Sequence, residues 1–222
     1  MKTYAVIVAG GSGTRMGSVL PKQFLLVQGK PVLYHTIQAF VQAFPGIDVI
    51  LVLPEEHLEL GREIVDGYFD DRQIRLTAGG ETRFHSVQNG LRLVQEESIV
   101  FVHDGVRCLV SGDLLQRCYN SALETGSAVP VVESRDSLRM LTEEGSEPVD
   151  RSRIRLVQTP QTFHSKILQA AFDIDYKERF TDEATVVEAF GLKVTLVPGD
   201  PSNIKITTPI DLVVAEQLMQ TS

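Results

Sequence analysis

The sequence predicts an α/β fold built on a doubly wound, mainly parallel sheet. Strand-like and helix-like segments alternate along most of the chain, as they do where crossover helices join parallel strands. Several strand-like segments are continuous apolar runs, such as residues 48–53 (DVILVL) and 99–103 (IVFVH). Such runs are typical of strands that are covered on both faces. The length of 222 residues suits one large α/β domain, or one domain with an appendage.

The first 132 residues contain five predicted strands separated by helices. The strands are short and apolar, and they cover 4–8, 48–53, 74–78, 99–103 and 128–132. The helices show helical spacing of apolar residues, and they cover 32–43, 55–68, 81–94 and 111–125. Pro31 suits the start of the first helix, and Gly126 suits the end of the last. Pro130 predicts that the fifth strand lies at an edge or carries a bulge.

The alternation stops after residue 132. Two short extended pieces, 137–142 and 154–158, flank a polar turn. The segment has too little apolar surface to fold alone, so we expect a β-hairpin arm, about 134–158, that protrudes from the single domain spanning 1–222. Such an arm either packs on a second subunit, covering a sheet edge, or stays a solvated surface hairpin. The complete prediction is a Rossmann-like sheet with a protruding arm.

Beyond the arm, the α/β pattern returns. The predicted elements are helices at 165–173, 181–190 and 208–219, a strand at 194–197 and a short extended piece at 204–206. Thr181 and the two acids after it are typical of a helix cap and first turn. Pro209 suits the first helical position of the last helix, with Thr208 as its cap.

Composition excludes several classes of protein. The net charge of −8 disfavours a nucleic-acid partner. Apolar residues make up 43% of the chain, an ordinary share for a globular protein, and no apolar run is long enough to cross a bilayer. Cys108 and Cys118 lack metal-ligand spacing, so we expect core thiols and a reducing, cytoplasmic location.

The most unusual stretch is the first turn, residues 9–17 (AGGSGTRMG), which follows a predicted strand and precedes Pro21-Lys22-Gln23. Four glycines in nine residues favour a bare backbone that something approaches closely. Arg15 and Lys22 add two cations beside it. A strand followed by such a turn is suited to holding phosphates through N–H groups and positive charge. The alternative is a plain glycine-rich turn.

Better-known glycine motifs do not fit this turn. The dinucleotide pattern started at Gly11 requires a glycine where Met16 stands, and the chain contains no G-K-[S/T] triplet of the Walker type. The serine-hydrolase elbow requires a glycine where Thr14 stands.

Further polar residues follow the other predicted strands, whose carboxyl ends bind ligands in folds of this class. Gly79 and Gly80 follow the third strand, and Asp104 follows the fourth. Asp104 is a candidate ligand for a metal or a sugar hydroxyl, or else a turn aspartate. Arg107 either faces substrate or pairs with Asp113.

Other candidates favour structural explanations. Lys205, between two isoleucines, points either to solvent or into a polar pocket. Asp182 and Glu183 are explained most simply as first-turn acids of a helix. His103 is expected to be a packed strand-end histidine, and Cys108 lacks the histidine partner of a nucleophile.

Six ordered motifs carry a family resemblance. They are the first turn with Pro21-Lys22-Gln23, Gly79-Gly80-Glu81-Thr82-Arg83 with Ser86, His103-Asp104-Gly105-Val106-Arg107, Asp150-Arg151 with Gln158-Thr159-Pro160-Gln161, Thr181-Asp182-Glu183-Ala184, and Asn203-Ile204-Lys205. Together they resemble the 2-C-methyl-D-erythritol 4-phosphate cytidylyltransferase family, within the sugar- and polyol-phosphate nucleotidyltransferases. The resemblance runs from Tyr4 to about Met219.

The resemblance implies cytidylyl transfer from CTP to methylerythritol 4-phosphate, with Mg²⁺ or another divalent cation and a homodimer that shares sites through the arm. It implies that the catalytic residues are Arg15, Lys22, Arg151 and Lys205. It implies nucleotide binding by Ala9, Gly10, Gly11, Ser12, Gly13, Gly79, Gly80 and Ser86. It implies substrate binding by Asp104, Arg107, Ser137, Thr159 and Thr181, with Asp104 also a metal ligand.

Two residues depart from the family pattern. Cys108 stands where a proline is usual, and Ser137 stands where threonine is frequent but keeps the hydroxyl. The alternatives to the methylerythritol enzyme are the related ribitol-5-phosphate cytidylyltransferase and a non-catalytic nucleotide-binding module. Thr181-Asp182-Glu183 favours the methylerythritol enzyme over the ribitol enzyme, and the joint presence of Arg15, Lys22, Asp104 and Lys205 disfavours the module.

Overall fold

The computed structural model describes residues 1–11, 20–69 and 74–220. The strands are β1 Lys2–Val8, β2 Leu26–Val27, β3 Lys30–Pro31, β4 Asp48–Leu53, β5 Ile74–Ala78, β6 Ser98–Asp104, β7 Ser127–Glu133, β8 Leu138–Thr142, β9 Gly145–Val149, β10 Arg155–Val157, β11 Gln161–His164 and β12 Leu196–Pro198. The helices are α1 Val32–Ala43, α2 Leu58–Tyr68, α3 Arg83–Leu91, α4 Gly112–Thr125, α5 Ser165–Ala171, α6 Glu183–Ala189 and α7 Pro209–Gln220.

One eight-stranded sheet organises the molecule. Its order is β10-β7-β11-β6-β1-β4-β5, with β12 beside β7. Strands β6, β1, β4 and β5 are mutually parallel, and β12 is parallel to β7, whereas β10 and β11 run antiparallel to their neighbours. The predicted mainly parallel sheet is therefore confirmed. Two small hairpins, β2–β3 and β8–β9, lie outside it.

The sheet is covered on both faces, as its continuous apolar strands predict. Ala5 and Ile7 of β1 pack in one buried cluster with side chains of α1, α2 and α4. Tyr4 and Val6 point to the opposite face and pack in a second cluster with α3, α5 and α6. Alternation along one strand thus supplies both cores, which is the doubly wound arrangement.

A third, smaller cluster joins α7 to the turn after β6. It contains Val106, Cys108, Ile206 and Ala215. Both cysteines are buried, and burial raises the pKa of each thiol to about 12, which confirms the prediction of core thiols. Among the described residues, no helix is both long enough and apolar enough to span a bilayer.

Several element boundaries differ from the predictions. The helix predicted over 55–68 begins with a separate 3₁₀ turn, Glu55–His57, and the one predicted over 81–94 is shorter at both ends. Gly126 does end α4, in the left-handed conformation at φ +88°. Residues 204–206 form no strand, and β11 escaped the sequence prediction altogether.

The arm exists, but its predicted pairing is wrong. Strand β8 pairs with β9, which begins inside the segment predicted as a turn. Residues 155–157 instead join the main sheet as β10, with Arg155 opposite Glu133 of β7. Alternation of apolar residues does not distinguish these partners, because pairing is a property of two segments rather than one.

Of the two alternatives predicted for the strand that contains Pro130, an edge position or a bulge, the edge position is wrong. Strand β12 pairs along one side of β7, with Val197 opposite Pro130. The missing N–H of Pro130 faces the other side, where pairing is interrupted between β10 and β11. Its carbonyl there accepts from the N–H of Gln158 at 2.8 Å. Because pairing is already interrupted on that side, β7 contains a proline without losing a hydrogen bond to β12.

His103, the next-to-last residue of β6, is a packed histidine, as predicted. The ring of His103 lies 5.1 Å from that of Phe40. Its Nε2 lies 3.1 Å from the carbonyl oxygen of Arg107, and its Nδ1 lies 3.0 Å from the hydroxyl of Thr159. A carbonyl oxygen only accepts, so Nε2 carries the proton and Nδ1 accepts from Thr159. Burial lowers the pKa of His103 to about 4, which keeps the ring neutral.

We predict that His103 makes the free energy of unfolding decrease as the pH is lowered below about 6.5. Its folded-state pKa of about 4 lies below the ordinary value of 6.5, so the unfolded chain takes up the proton first as the pH falls. The contribution of His103 to stability is complete above pH 6.5 and is lost between about 6.5 and 4, with about 2 kcal/mol lost at pH 5. The free energy of unfolding is measured in urea at pH 7 and at pH 5. The decrease between the two should be smaller by about 2 kcal/mol in His103→Gln than in the unaltered chain. Equal losses would contradict the assignment.

Candidate active site

A cleft of about 560 Å³ opens at the carboxyl ends of β1, β4, β5 and β6, where α/β sheets of this type bind ligands. It combines backbone from glycine-containing turns with charged side chains. The residues that line it are Val8, Ala9, Gly10, Gly11, Lys22, Gln23, Pro54, Glu55, Glu56, Gly79, Gly80, Glu81, Thr82, Arg83, Ser86, Asp104, Val106 and Lys205. Every described residue that was predicted to bind nucleotide is among them.

The turn after β1 brings backbone and a lysine together. The carbonyl of Ala9 accepts from Nε2 of Gln23 at 2.8 Å, which fixes the start of the turn. A Cβ on Gly11 would lie 3.6 Å from Cε of Lys22, so the lysine stem runs along the turn. Lys22 itself is only 8% exposed. Three residues predicted for this turn lie outside the described residues, and they are Ser12, Gly13 and Arg15.

The turn after β5 also requires glycine. A Cβ on Gly79 would lie 2.8 Å from Oγ of Ser86, and one on Gly80 would lie 2.5 Å from Cβ of His85. The N–H of Gly80 donates to Oγ of Ser86 at 3.1 Å, and that hydroxyl donates to the carbonyl of Thr82 at 3.0 Å. The side chain of Ser86 therefore holds the turn against the start of α3, and a ligand can approach the bare backbone closely.

Asp104, at the end of β6, is shared by three cations. Its Oδ1 lies 3.4 Å from a terminal nitrogen of Arg83. Its Oδ2 lies 3.2 Å from Nε of Arg107 and 3.0 Å from Nζ of Lys205. Burial alone would raise the pKa of Asp104, but the charges of Arg83, Lys205 and Arg107 outweigh it and hold the pKa well below the ordinary aspartate range.

Arg83 pairs with a second buried carboxylate. Both of its terminal nitrogens contact Glu183, one oxygen each, and Glu183 has no exposed surface. Burial would lower the pKa of Arg83, but Glu183 and then Asp104 raise it, so the guanidinium stays charged. Burial raises the pKa of Glu183, and the contact with Arg83 opposes that rise. Glu183 is a first-turn acid of α6, as predicted, but it is also fully buried and paired with Arg83, which the sequence did not predict.

The positions of Lys205 and Arg107 resolve the alternatives that the sequence left open. Lys205 turns into the cleft to meet Asp104, although its side chain remains 42% exposed. Arg107 pairs with Asp104, and its NH1 donates to the carbonyl of Asn203 at 2.8 Å. Among the ion pairs of the described residues, none joins Arg107 to Asp113. Asn203 thus ties the segment bearing Lys205 to the turn after β6.

Thr159 supports the cleft from beneath. Its hydroxyl accepts from the N–H of Asp104 at 3.0 Å, and its carbonyl accepts from the side-chain amide of Asn203 at 2.8 Å. The residue is buried and does not contribute to the cleft lining. Its position is that of a support for Asp104.

Three other predicted residues lie apart from the lining of this cleft. Ser137 and Arg151 are exposed on the arm, where Arg151 donates to the carbonyl of Arg135 at 2.6 Å. Thr181 is exposed just before Asp182, which caps α6 by accepting from the N–H of Thr185.

The residues that sequence reasoning missed are Arg83 and Glu183. Arg83 stood within a quoted motif without an assigned role. Their pairing joins positions 100 residues apart, a separation at which no local pattern applies. The only available signals were the position of Arg83 after a Gly-Gly turn and the presence of an acid in a polar helix start.

The arrangement suits a ligand that carries several phosphates. Bare turns offer N–H groups, and Lys22 and Lys205 bring positive charge into the cleft of an otherwise acidic chain. No histidine is among the described residues that line the cleft, and His103 is buried and neutral beneath it. The site therefore favours charge stabilisation and positioning over proton transfer by a base.

Known proteins resemble this chain along its length. The family model for 2-C-methyl-D-erythritol 4-phosphate cytidylyltransferase matches residues 3–221. The enzyme of that name from Bacteroides thetaiotaomicron is 48% identical over 219 residues, which cover 99% of this chain and 100% of the relative. The one from Syntrophus aciditrophicus is 41% identical, with 99% of this chain and 96% of the relative covered.

Solved structures agree with these sequence matches. The 4-diphosphocytidyl-2C-methyl-D-erythritol synthase of Anaerococcus prevotii superposes with a TM-score of 0.84 at 29% identity, covering 99% of this chain and 98% of that one. The 2-C-methyl-D-erythritol 4-phosphate cytidylyltransferase of Thermus thermophilus superposes with a TM-score of 0.77 at 32% identity, covering 99% and 100%. The chain therefore belongs to the 2-C-methyl-D-erythritol 4-phosphate cytidylyltransferase family.

Proposed function

We propose that the protein transfers a cytidylyl group from CTP to 2-C-methyl-D-erythritol 4-phosphate and releases pyrophosphate, a step in the synthesis of isoprenoid precursors. Family membership over the whole chain supports this reaction. The observation that carries it is the cleft itself, which is lined by glycine-turn backbone, by Lys22 and by the ion pair of Lys205 with Asp104. The same arrangement disfavours a non-catalytic module.

The chemistry requires no general base. An oxygen of the acceptor phosphate is already ionised, and it attacks the α-phosphorus of CTP while pyrophosphate leaves in line. Lys22 and Arg15 stabilise the charge that develops on the α-phosphate and on the leaving group. Residues 9–13 bind the triphosphate, and the nucleoside lies against Gly79, Gly80 and Ser86.

The acceptor occupies the end of the cleft near Asp104. Lys205 holds its phosphate with Thr181, while Asp104 and Arg107 contact its hydroxyl-bearing part, and Thr159 holds Asp104 in place. Because Lys205 and Asp104 are ion-paired, binding of the acceptor phosphate must compete with that pair. This competition favours a doubly charged phosphate over a neutral polyol.

The arm completes the site of a second copy. Ser137 and Arg151 lie on the arm and line no part of the cleft of their own chain. Leu141 of the hairpin is 84% exposed and Met140 is 56% exposed, as expected of a surface that packs on another subunit. We therefore propose a homodimer, with Ser137 and Arg151 reaching the acceptor of the partner.

Asp104 does not fit the role of a magnesium ligand. Both of its oxygens already accept from cations, so a divalent ion would be repelled there. Within residues 1–11, 20–69 and 74–220, no group of three or more histidines, cysteines or acids could hold a metal. A divalent cation remains in the proposal as a companion of the CTP phosphates, which together with water commonly bind Mg²⁺.

The remaining parts of the proposal concern organisation and location. We propose that residues 1–222 form one nucleotidyltransferase domain, because the arm begins and ends in strands of the main sheet. Two buried thiols and an acidic surface are consistent with a cytoplasmic enzyme that has no nucleic-acid partner.

Release of pyrophosphate tests the reaction directly. With CTP and Mg²⁺, we expect rapid release with 2-C-methyl-D-erythritol 4-phosphate and little with ribitol 5-phosphate. Activity with ribitol 5-phosphate alone would overturn the acceptor assignment. Silence with both acceptors, from protein that still binds CTP, would favour the non-catalytic alternative.

The role of Lys22 predicts a large loss of rate without loss of fold. Lys22→Ala should lower kcat about 100-fold or more, because the charge acts mainly in the transition state. Lys193→Ala is the matched control, since Lys193 is an exposed lysine that does not line the cleft. Steady-state kinetics and circular dichroism measure both effects. An unchanged kcat in Lys22→Ala would remove it from the catalytic residues.

Shared sites predict complementation between two inactive chains. Mixed Lys22→Ala and Arg151→Ala subunits form heterodimers in which one site has both an intact cleft and an intact partner arm. Random mixing should restore roughly a quarter of the unaltered activity, since half the dimers are mixed and each has one working site. Lys22→Ala mixed with a chain carrying both substitutions should stay inactive. No recovery, with heterodimers shown to form, would count against sharing.

A further inference from the structure

Arg83 divides its guanidinium between two carboxylates at the floor of the cleft. It begins α3 directly after its cap, Thr82, and its side chain is 27% exposed. One terminal nitrogen contacts Glu183 alone, and the other contacts Glu183 at 3.2 Å and Asp104 at 3.4 Å. The two-point contact with Glu183 fixes the plane of the guanidinium, and this plane sets which edge Asp104 meets.

Glu183 is held more firmly than a helix start requires. The side-chain amide of Gln161 donates to Asp182 at 3.0 Å, and its oxygen accepts from the N–H of Ala184 at 2.7 Å. Gln161 therefore clamps the residues on both sides of Glu183. It lies on β11, opposite Val102 of β6. Gln161 thus ties the start of α6, which contains Glu183, to β11. That strand lies next to β6, which ends in Asp104.

The charges explain what this support does. Asp104 is one negative charge facing three cations, and Glu183 supplies a second negative charge to the one cation, Arg83, that lies farthest from Asp104. Without Glu183, Asp104 would be the carboxylate in direct contact with Arg83, and Asp182 would act on it only through space. The carboxylate of Asp104 would then be drawn towards Arg83 and away from Arg107 and Lys205.

We infer that Glu183 is a positioning residue of the transfer reaction, because it holds Arg83 so that Asp104 stays oriented towards Arg107 and Lys205. The inference rests on the proposed function, in which these groups meet the acceptor. A purely structural ion pair is the competing explanation. It would lower the melting temperature on substitution but would leave kcat of the folded protein unchanged.

The test compares Glu183→Gln with Glu188→Gln. Each variant replaces one glutamate of α6 by its neutral amide, but Glu188 is exposed and does not line the cleft. At saturating CTP and acceptor, and well below the melting temperature, kcat of Glu183→Gln should fall about 10- to 100-fold. That of Glu188→Gln should stay within about threefold of the unaltered chain. A kcat of Glu183→Gln equal to that of Glu188→Gln would overturn the inference.

A second comparison keeps the inference testable if Glu183→Gln alone fails to fold. Arg83→Gln leaves the buried Glu183 without its cation, but burial raises the pKa of this carboxyl and so favours its neutral form. The double variant Arg83→Gln with Glu183→Gln leaves neither an arginine nor a carboxylate buried and unpaired. If Glu183 acts through Arg83, the two should have the same kcat within about threefold, because the group that Glu183 positions is gone. A further loss of tenfold or more in the double variant would overturn the inference. Activity of the unaltered chain in the same assay tests the proposed function separately.

Discussion

The carboxylate of Asp104 is the constraint on which the rest of the site depends. Three cations meet it from segments that are far apart in the chain, namely Arg83 after β5, Arg107 after β6 and Lys205 before α7. Burying these charges is costly, and the mutual contacts are what offset the cost. The cluster therefore forms only when the sheet brings these segments together, so the charge arrangement depends on the fold.

The support beneath Asp104 consists of hydrogen bonds whose direction is fixed. The N–H of Asp104 donates to Thr159, the hydroxyl of Thr159 donates to His103, and His103 donates to the carbonyl of Arg107. The hydroxyl of Thr159 and the ring of His103 each donate one hydrogen bond and accept one. In a charged imidazole both ring nitrogens carry protons, so Nδ1 could no longer accept the hydrogen bond from Thr159. Burial of His103 keeps the ring neutral and so preserves the position of the aspartate.

Local patterns predicted most of the elements but few of their pairings. The apolar spacing of α1 and the continuous run of β4 gave bounds that the structure reproduces, because both patterns lie within one segment. The partner of β8 and the edge alternative for β7 were wrong, because both depend on contacts between segments. The same reason separates the site residues. The glycine turns were found from composition, whereas the contact of Arg83 with Glu183 joins two segments with no common pattern.

The arm is mounted on the sheet through both of its ends. It leaves from β7 and returns through β10, and Glu133 and Arg155 lie opposite each other where it departs. Its own strands, β8 and β9, pair only with each other within the described chain. The separation between the two stems is therefore set by the sheet and not by the number of residues between them. The tip can therefore lengthen, shorten or be rebuilt without shifting the register of a core strand.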